Sequence, residues 1–142
     1  MNVIYLLFAL MAGIFSTIES TINARLGKYV TPSIATLHSL ATGMVFILFI
    51  SLVKGNIARY AKVSHVSPVW LIGGVFGAFI IYFSAKAIPV LGVTTTVILI
   101  LAGQLASGYL IDIFINGAEV SLRKVMGLML FSIGAYFFIM KA

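Results

Sequence analysis

Cysteine is absent from the 142 residues, which excludes disulfides and thiol chemistry. Charge is scarce. Asp, Glu, Lys and Arg make up 8% of the chain, against about 25% in a soluble domain. With 62% hydrophobic residues, so few charges cannot clothe a water-facing surface. Acids are the rarest group, limited to Glu19, Asp112 and Glu119. Three acids with His38 and His65 form no convincing metal site, and no cofactor is implied. No HExxH, GxSxG, Walker A or GxGxxG motif occurs, so enzyme chemistry has no foothold. No basic stretch precedes the first apolar run, which reads as an uncleaved span. The net charge of +6 comes from basic residues set singly in short loops. Such placement marks membrane-flanking charge, not a nucleic-acid partner.

What the chain has is length without charge. Residues 1–18, 29–53, 63–85, 87–111 and 125–140 contain no Asp, Glu, Lys or Arg. A helix needs about 20 apolar residues to cross a bilayer core of about 30 Å. Membrane β-strands would be shorter and would alternate in polarity. The expected fold class is therefore all-α integral membrane, a single transmembrane domain over 1–142 with lipid as its solvent. Five helices are expected at about 3–22, 33–53, 69–87, 91–114 and 121–140. Thr31-Pro32 and Ser67-Pro68 each place a capping hydroxyl before a proline, and Ser121 is placed to cap the fifth helix. Pro89 and Gly92 mark the break between spans three and four. The one extended loop is 54–67.

Basic residues divide almost evenly between the two membrane faces. Lys54, Arg59, Lys62, Arg123 and Lys124 fall on the face that holds the N-terminus (side A). Arg25, Lys28, Lys86 and Lys141 fall on the other (side B). An excess of Lys and Arg on the cytoplasmic face sets orientation, and five against four gives almost none. Two readings fit: a fixed orientation set by Lys54, Arg59 and Lys62 or by a partner, or insertion both ways with antiparallel pairing. The second would yield ten helices about a two-fold axis in the membrane plane, the inverted-repeat plan of many secondary transporters.

Polar residues gather on two spans. Ser16, Glu19, Ser20 and Asn23 stand at i, i+3, i+4 and i+7 on one face of the first helix, and Thr17 and Thr21 broaden it. Lipid cannot satisfy these groups. They wall a hydrated cavity, or they bond to other helices at about 0.6 kcal/mol per contact. Glu19 sits about 10 Å from the centre of a 3–22 helix at 1.5 Å per residue. There it binds a proton or solute, snorkels to the interface, or pairs with Lys86. Gln104 and Ser107 share a face of the fourth helix, and Asp112 lies near Arg123 and Lys124 as an expected salt bridge. Tyr82, His38 and the adjacent Ser39 are further cavity candidates, each with a packing or anchoring alternative. Gly73 and Gly77 form a GxxxG spacing for close helix packing, with Gly103 as another small contact point.

The chain resembles the YdcZ-type family of the drug/metabolite transporter superfamily. The residues that carry the resemblance are Ala102-Gly103-Gln104-Leu105, Leu110-Ile111-Asp112-Ile113-Phe114 and Pro89-Val90-Leu91-Gly92. With them stand Gly73-Gly74-Val75-Phe76-Gly77 and Asn23-Ala24-Arg25-Leu26-Gly27. The resemblance implies a multi-pass transporter of the bacterial inner membrane that works by alternating access but supplies no substrate; the hydroxyls and amides of the polar spans point to a small polar or amphiphilic solute. It favours the dual-topology antiparallel homodimer, since small members of the superfamily work that way, and Glu19 makes protons the first candidate for coupling. Carried over by position, Glu19, Asn23, Gln104 and Ser107 become cavity residues. Where this chain has Glu19, such proteins often have Gln, which puts a family-wide titrating role there in doubt. The alternatives outside this class are a non-transporting assembly or accessory subunit and a passive pore.

Overall fold

A computed structural model describes residues 3–140. It contains five long helices: α1 (Val3–Tyr29), α2 (Pro32–Val53), α3 (Gly73–Leu91), α4 (Val93–Phe114) and α5 (Leu122–Ile139). Two 3-10 helices, Ile57–His65 and Pro68–Ile72, lie between α2 and α3. All five spans are long and apolar enough to cross a membrane, the third counted from Pro68. No β-strand occurs among the described residues. Large apolar side chains stay exposed along the spans, among them Phe46, Phe83 and Leu130. In water that surface would aggregate; in hydrocarbon it is the solvated surface.

The chain divides into two compact units, Met1–Val90 and Leu91–Ala142. The first is organised on the hairpin of α1 and α2. Ala24, Ala35 and Thr36 are buried along its seam. A Cβ on Gly27 would stand 3.5 Å from the Pro32 Cα and 3.9 Å from the Ala35 Cβ, so small residues set how closely the helices approach. Thr31 caps α2 as expected: its hydroxyl accepts from the Ile34 N–H at 3.2 Å, with Pro32 in the first turn. On α3, Ile81, Ser84, Ala85 and Ile88 form a buried stripe at i, i+3, i+4 and i+7.

The second unit pairs α4 with α5. Gly92 opens it at φ +81°, a backbone conformation closed to side chains, and this residue ends α3 and starts α4. Ser121 does not cap α5 through its hydroxyl. Its N–H donates instead to the Tyr109 hydroxyl at 3.1 Å, so a side chain from α4 satisfies the first backbone donor.

Four boundaries depart from the sequence reading. α1 continues to Tyr29 because its polar last turns gain the seam with α2, where lipid solubility no longer limits helix length. Loop 54–67 is largely a 3-10 helix. Ser67 makes no side-chain cap, since its proline begins a 3-10 turn. Pro89 lies inside α3, two residues before its end, and Gly92 alone makes the break.

Candidate functional site

The α1–α2 hairpin aligns three polar side chains into one hydrogen-bonded chain. Glu19 and Asn23 are one turn apart on α1, so both reach the same point on α2. That point is Ser39. The Asn23 Nδ2 donates to the Ser39 Oγ at 3.1 Å, and the Ser39 Oγ donates to the Glu19 Oε1 at 3.0 Å. Serine has one hydroxyl proton, and both of its roles are filled here. Burial falls along the chain: Asn23 is 3% exposed, Ser39 is half-buried, and Glu19 is exposed. The arrangement fixes a carboxylate on an open face from a protected base.

The longer α1 also moves Glu19 relative to its own helix. The midpoint of Val3–Tyr29 is Ser16, and Glu19 is one turn beyond it. Pairing with Lys86 does not occur. The Lys86 Nζ lies 5.3 Å from the centre of the Tyr82 ring, a cation–π contact one turn away on α3. The Tyr82 ring also meets Phe83 edge-on at 5.6 Å.

The rest of the α1 stripe divides. Ser20 is buried and Ser16 is exposed. The Thr17 and Thr21 hydroxyls donate to the Gly13 and Thr17 carbonyls at 3.1 and 2.8 Å, which spends their protons within the helix. His38 is exposed beside an apolar groove with Thr42, Val45 and Phe49, and does not join the Ser39 chain.

In the second unit, α4 and α5 enclose a groove of about 430 Å³. Gln104, Gly108, Tyr109 and Asp112 line it from α4, and Lys124 and Gly127 from α5. The absent side chains of Gly108 and Gly127 leave its space open. The Lys124 Nζ meets the Asp112 Oδ2 at 3.5 Å, the expected salt bridge, and Asn116 donates to the other carboxylate oxygen at 3.2 Å. Both charged side chains are about half exposed, so the pair is worth at most about 1 kcal/mol. The Ser107 hydroxyl donates within its own helix, to the Gly103 carbonyl at 2.7 Å and to the Gln104 backbone carbonyl at 3.3 Å, and not to the Gln104 side chain. Around Gly73 and Gly77 in the first unit and Gly103 in the second, no atom beyond the local helix backbone lies within 4 Å of a Cβ position, so each small face is open within its own unit.

Gly108, Gly127 and Tyr109 escaped the sequence reading, and Gly27 entered it only through the family resemblance and not as a packing residue. Gly108 recurs four residues before Asp112 and Gly127 three after Lys124, a spacing that could have flagged a facing pair.

Residues 4–137 match the family described as "Putative inner membrane exporter, YdcZ". The chain is 31% identical over 126 residues to the inner membrane protein YdcZ of Escherichia coli (strain K12), covering 86% of this chain and 83% of that protein. No solved structure matches. With five membrane-crossing helices and a match over nearly its whole length, the chain belongs to the YdcZ family and is a multi-pass protein of the bacterial inner membrane.

Proposed function

We propose that the chain is one transmembrane domain that exports a small polar or amphiphilic solute by alternating access, as an antiparallel homodimer of ten helices. The observation that carries this reading is the exposed carboxylate of Glu19, held in place by Ser39 and Asn23 within the α1–α2 hairpin. A charge at the bilayer centre costs about 2.5–3.5 kcal/mol and less towards the interface, so a carboxylate one turn from the middle of α1 marks a solute or proton path by default. A second copy would cover that face and turn it into one wall of a hydrated cleft.

Other features support the same arrangement. Gln104 is exposed in the groove of the second unit, with an amide that lipid cannot satisfy. The open faces at Gly73, Gly77 and Gly103 suit close approach by helices of another copy. The near-even split of basic residues permits insertion in both orientations. Export follows the description of the family; Glu19 and Gln104 contact the solute, and Asn23 and Ser39 hold Glu19 in place behind it. Ser16 and Ser20 continue the α1 wall, Tyr82 and His38 stand at its margins, and Ser107 supports Gln104. Protons bound at Glu19 drive the cycle.

Orientation tests the core of the reading. The chain has no cysteine, so Glu119→Cys in the exposed α4–α5 loop creates a single label site. Intact cells receive a membrane-impermeant maleimide, and a second label follows permeabilisation. An even split between the two steps is expected. Labelling wholly in one step would remove the antiparallel homodimer. Purified protein in vesicles should also show solute counterflow, which a passive pore cannot produce.

A further inference from the structure

The segment between α2 and α3 enters the transport reading only through the number of its basic residues, yet its pattern is strict. Residues 54–67 hold Lys54, Arg59, Lys62 and His65, and no acid. Ile57–His65 is a 3-10 helix of nine residues, where such runs seldom pass three or four. With three residues per turn, positions i and i+3 eclipse. That period sorts the sequence into three unmixed rows. Ile57, Tyr60 and Val63 form an apolar row. Arg59, Lys62 and His65 form a basic row. Ala58, Ala61 and Ser64 form a row of small side chains. In an α-helix each row would drift by about 60° per three residues and the faces would blur.

Backbone and side chains agree with the tight winding. The Arg59 N–H donates to the Asn56 carbonyl at 3.0 Å, and the Ser64 hydroxyl donates to the Ala61 carbonyl at 2.8 Å. The segment starts against the end of α2, where Ile57 and Tyr60, with Asn56 and Arg59 beside them, line a shallow pocket with Ser51. Leu52 and Val53, exposed at that end of α2, continue the apolar surface into the span. Tyr60 is 73% exposed, and Trp70 further along is 78% exposed, two amphipathic rings suited to headgroup depth. Arg59 and Lys62 are exposed and make no ion pair among the described residues.

We infer that Ile57–His65 lies along the membrane interface on anionic phospholipid. The apolar row enters the upper acyl region, and the basic row meets the lipid phosphates. Charge complementarity selects the partner: the segment is wholly basic, and each Lys or Arg near an anionic surface strengthens binding about fivefold, equivalent to roughly 1 kcal/mol. The inference does not depend on transport or on dimer formation, since it concerns one loop beside its own span.

A cysteine scan tests it on the full chain. Residues 57–66 are replaced singly and spin-labelled, and the protein is reconstituted into phosphatidylcholine vesicles with or without phosphatidylglycerol. With phosphatidylglycerol, label depth should rise and fall every three residues, deepest at 57, 60 and 63. Without it, or in high salt, the oscillation should shrink. Arg59→Gln with Lys62→Gln should shrink it likewise, by the equivalent of two fivefold factors. A flat profile, or a 3.6-residue period, overturns the inference. Equal oscillation in both lipids overturns the anionic partner. At every label position except 59, 62 and 65 the lipid comparison keeps the native basic residues, so a poorly folding variant does not decide the result.

Discussion

At the scale of single residues, the centre of interest is one hydroxyl proton. Ser39 accepts a hydrogen bond from Asn23 and donates one to Glu19, so the carboxylate is oriented by neutral groups. Glu19→Gln keeps an acceptor for Ser39 and removes the charge. Export by this variant should lose its pH dependence, with the thermal unfolding midpoint in detergent unchanged; counterflow over a pH series reads the first and a melt the second. Intact pH dependence would take the proton away from Glu19. Ser39→Ala breaks the chain at both links. It should lower stability by about 1 kcal/mol, taking about 0.6 kcal/mol per contact, and slow transport. An unaltered transport rate in Ser39→Ala would separate the hairpin bond from the solute path. The sequence pointed to Glu19 and Asn23 through their shared helix face. It pointed to Ser39 only as a neighbour of His38, because the link crosses between helices and periodicity carries no information across a turn.

At the scale of elements, the five spans were legible because hydrocarbon imposes a minimum charge-free length. The last turns of α1 were not, because Asn23, Arg25 and Lys28 belong to a helix held by its hairpin partner and not by lipid. The 3-10 winding of Ile57–His65 was equally hidden, since a short polar segment reads as loop until its backbone bonds are known. Caps were half legible. Thr31 caps through its side chain, while at Ser121 the Tyr109 hydroxyl takes over. Tyr109→Phe should therefore loosen the start of α5, costing about 1 kcal/mol, with faster amide exchange confined to residues 121–124. Protection unchanged there would show that α5 needs no help from α4. Gly92→Ala meets the positive φ between α3 and α4 and should cost about 1–3 kcal/mol. A melt of that variant equal to the parent would mean that the break does not depend on glycine.

At the scale of the whole molecule, what remains open within one chain defines what a second must supply. Gly77 has free space around it, so Gly77→Leu should leave the helical content by circular dichroism unchanged. The same variant should reduce the dimer fraction by chemical crosslinking in membranes. An undiminished dimer would remove this face from the interface. The five helices also differ in length: α1 has 27 residues and α5 has 18. At 1.5 Å per residue these are about 40 Å and about 27 Å long. No single hydrocarbon thickness fits both standing upright. α1 meets a core of about 30 Å with length to spare and can tilt or extend its basic end into the headgroups. α5 has no such reserve. Lengthening the acyl chains therefore strains α5 first, pulling the ends of this one helix into hydrocarbon while α1 merely stands straighter.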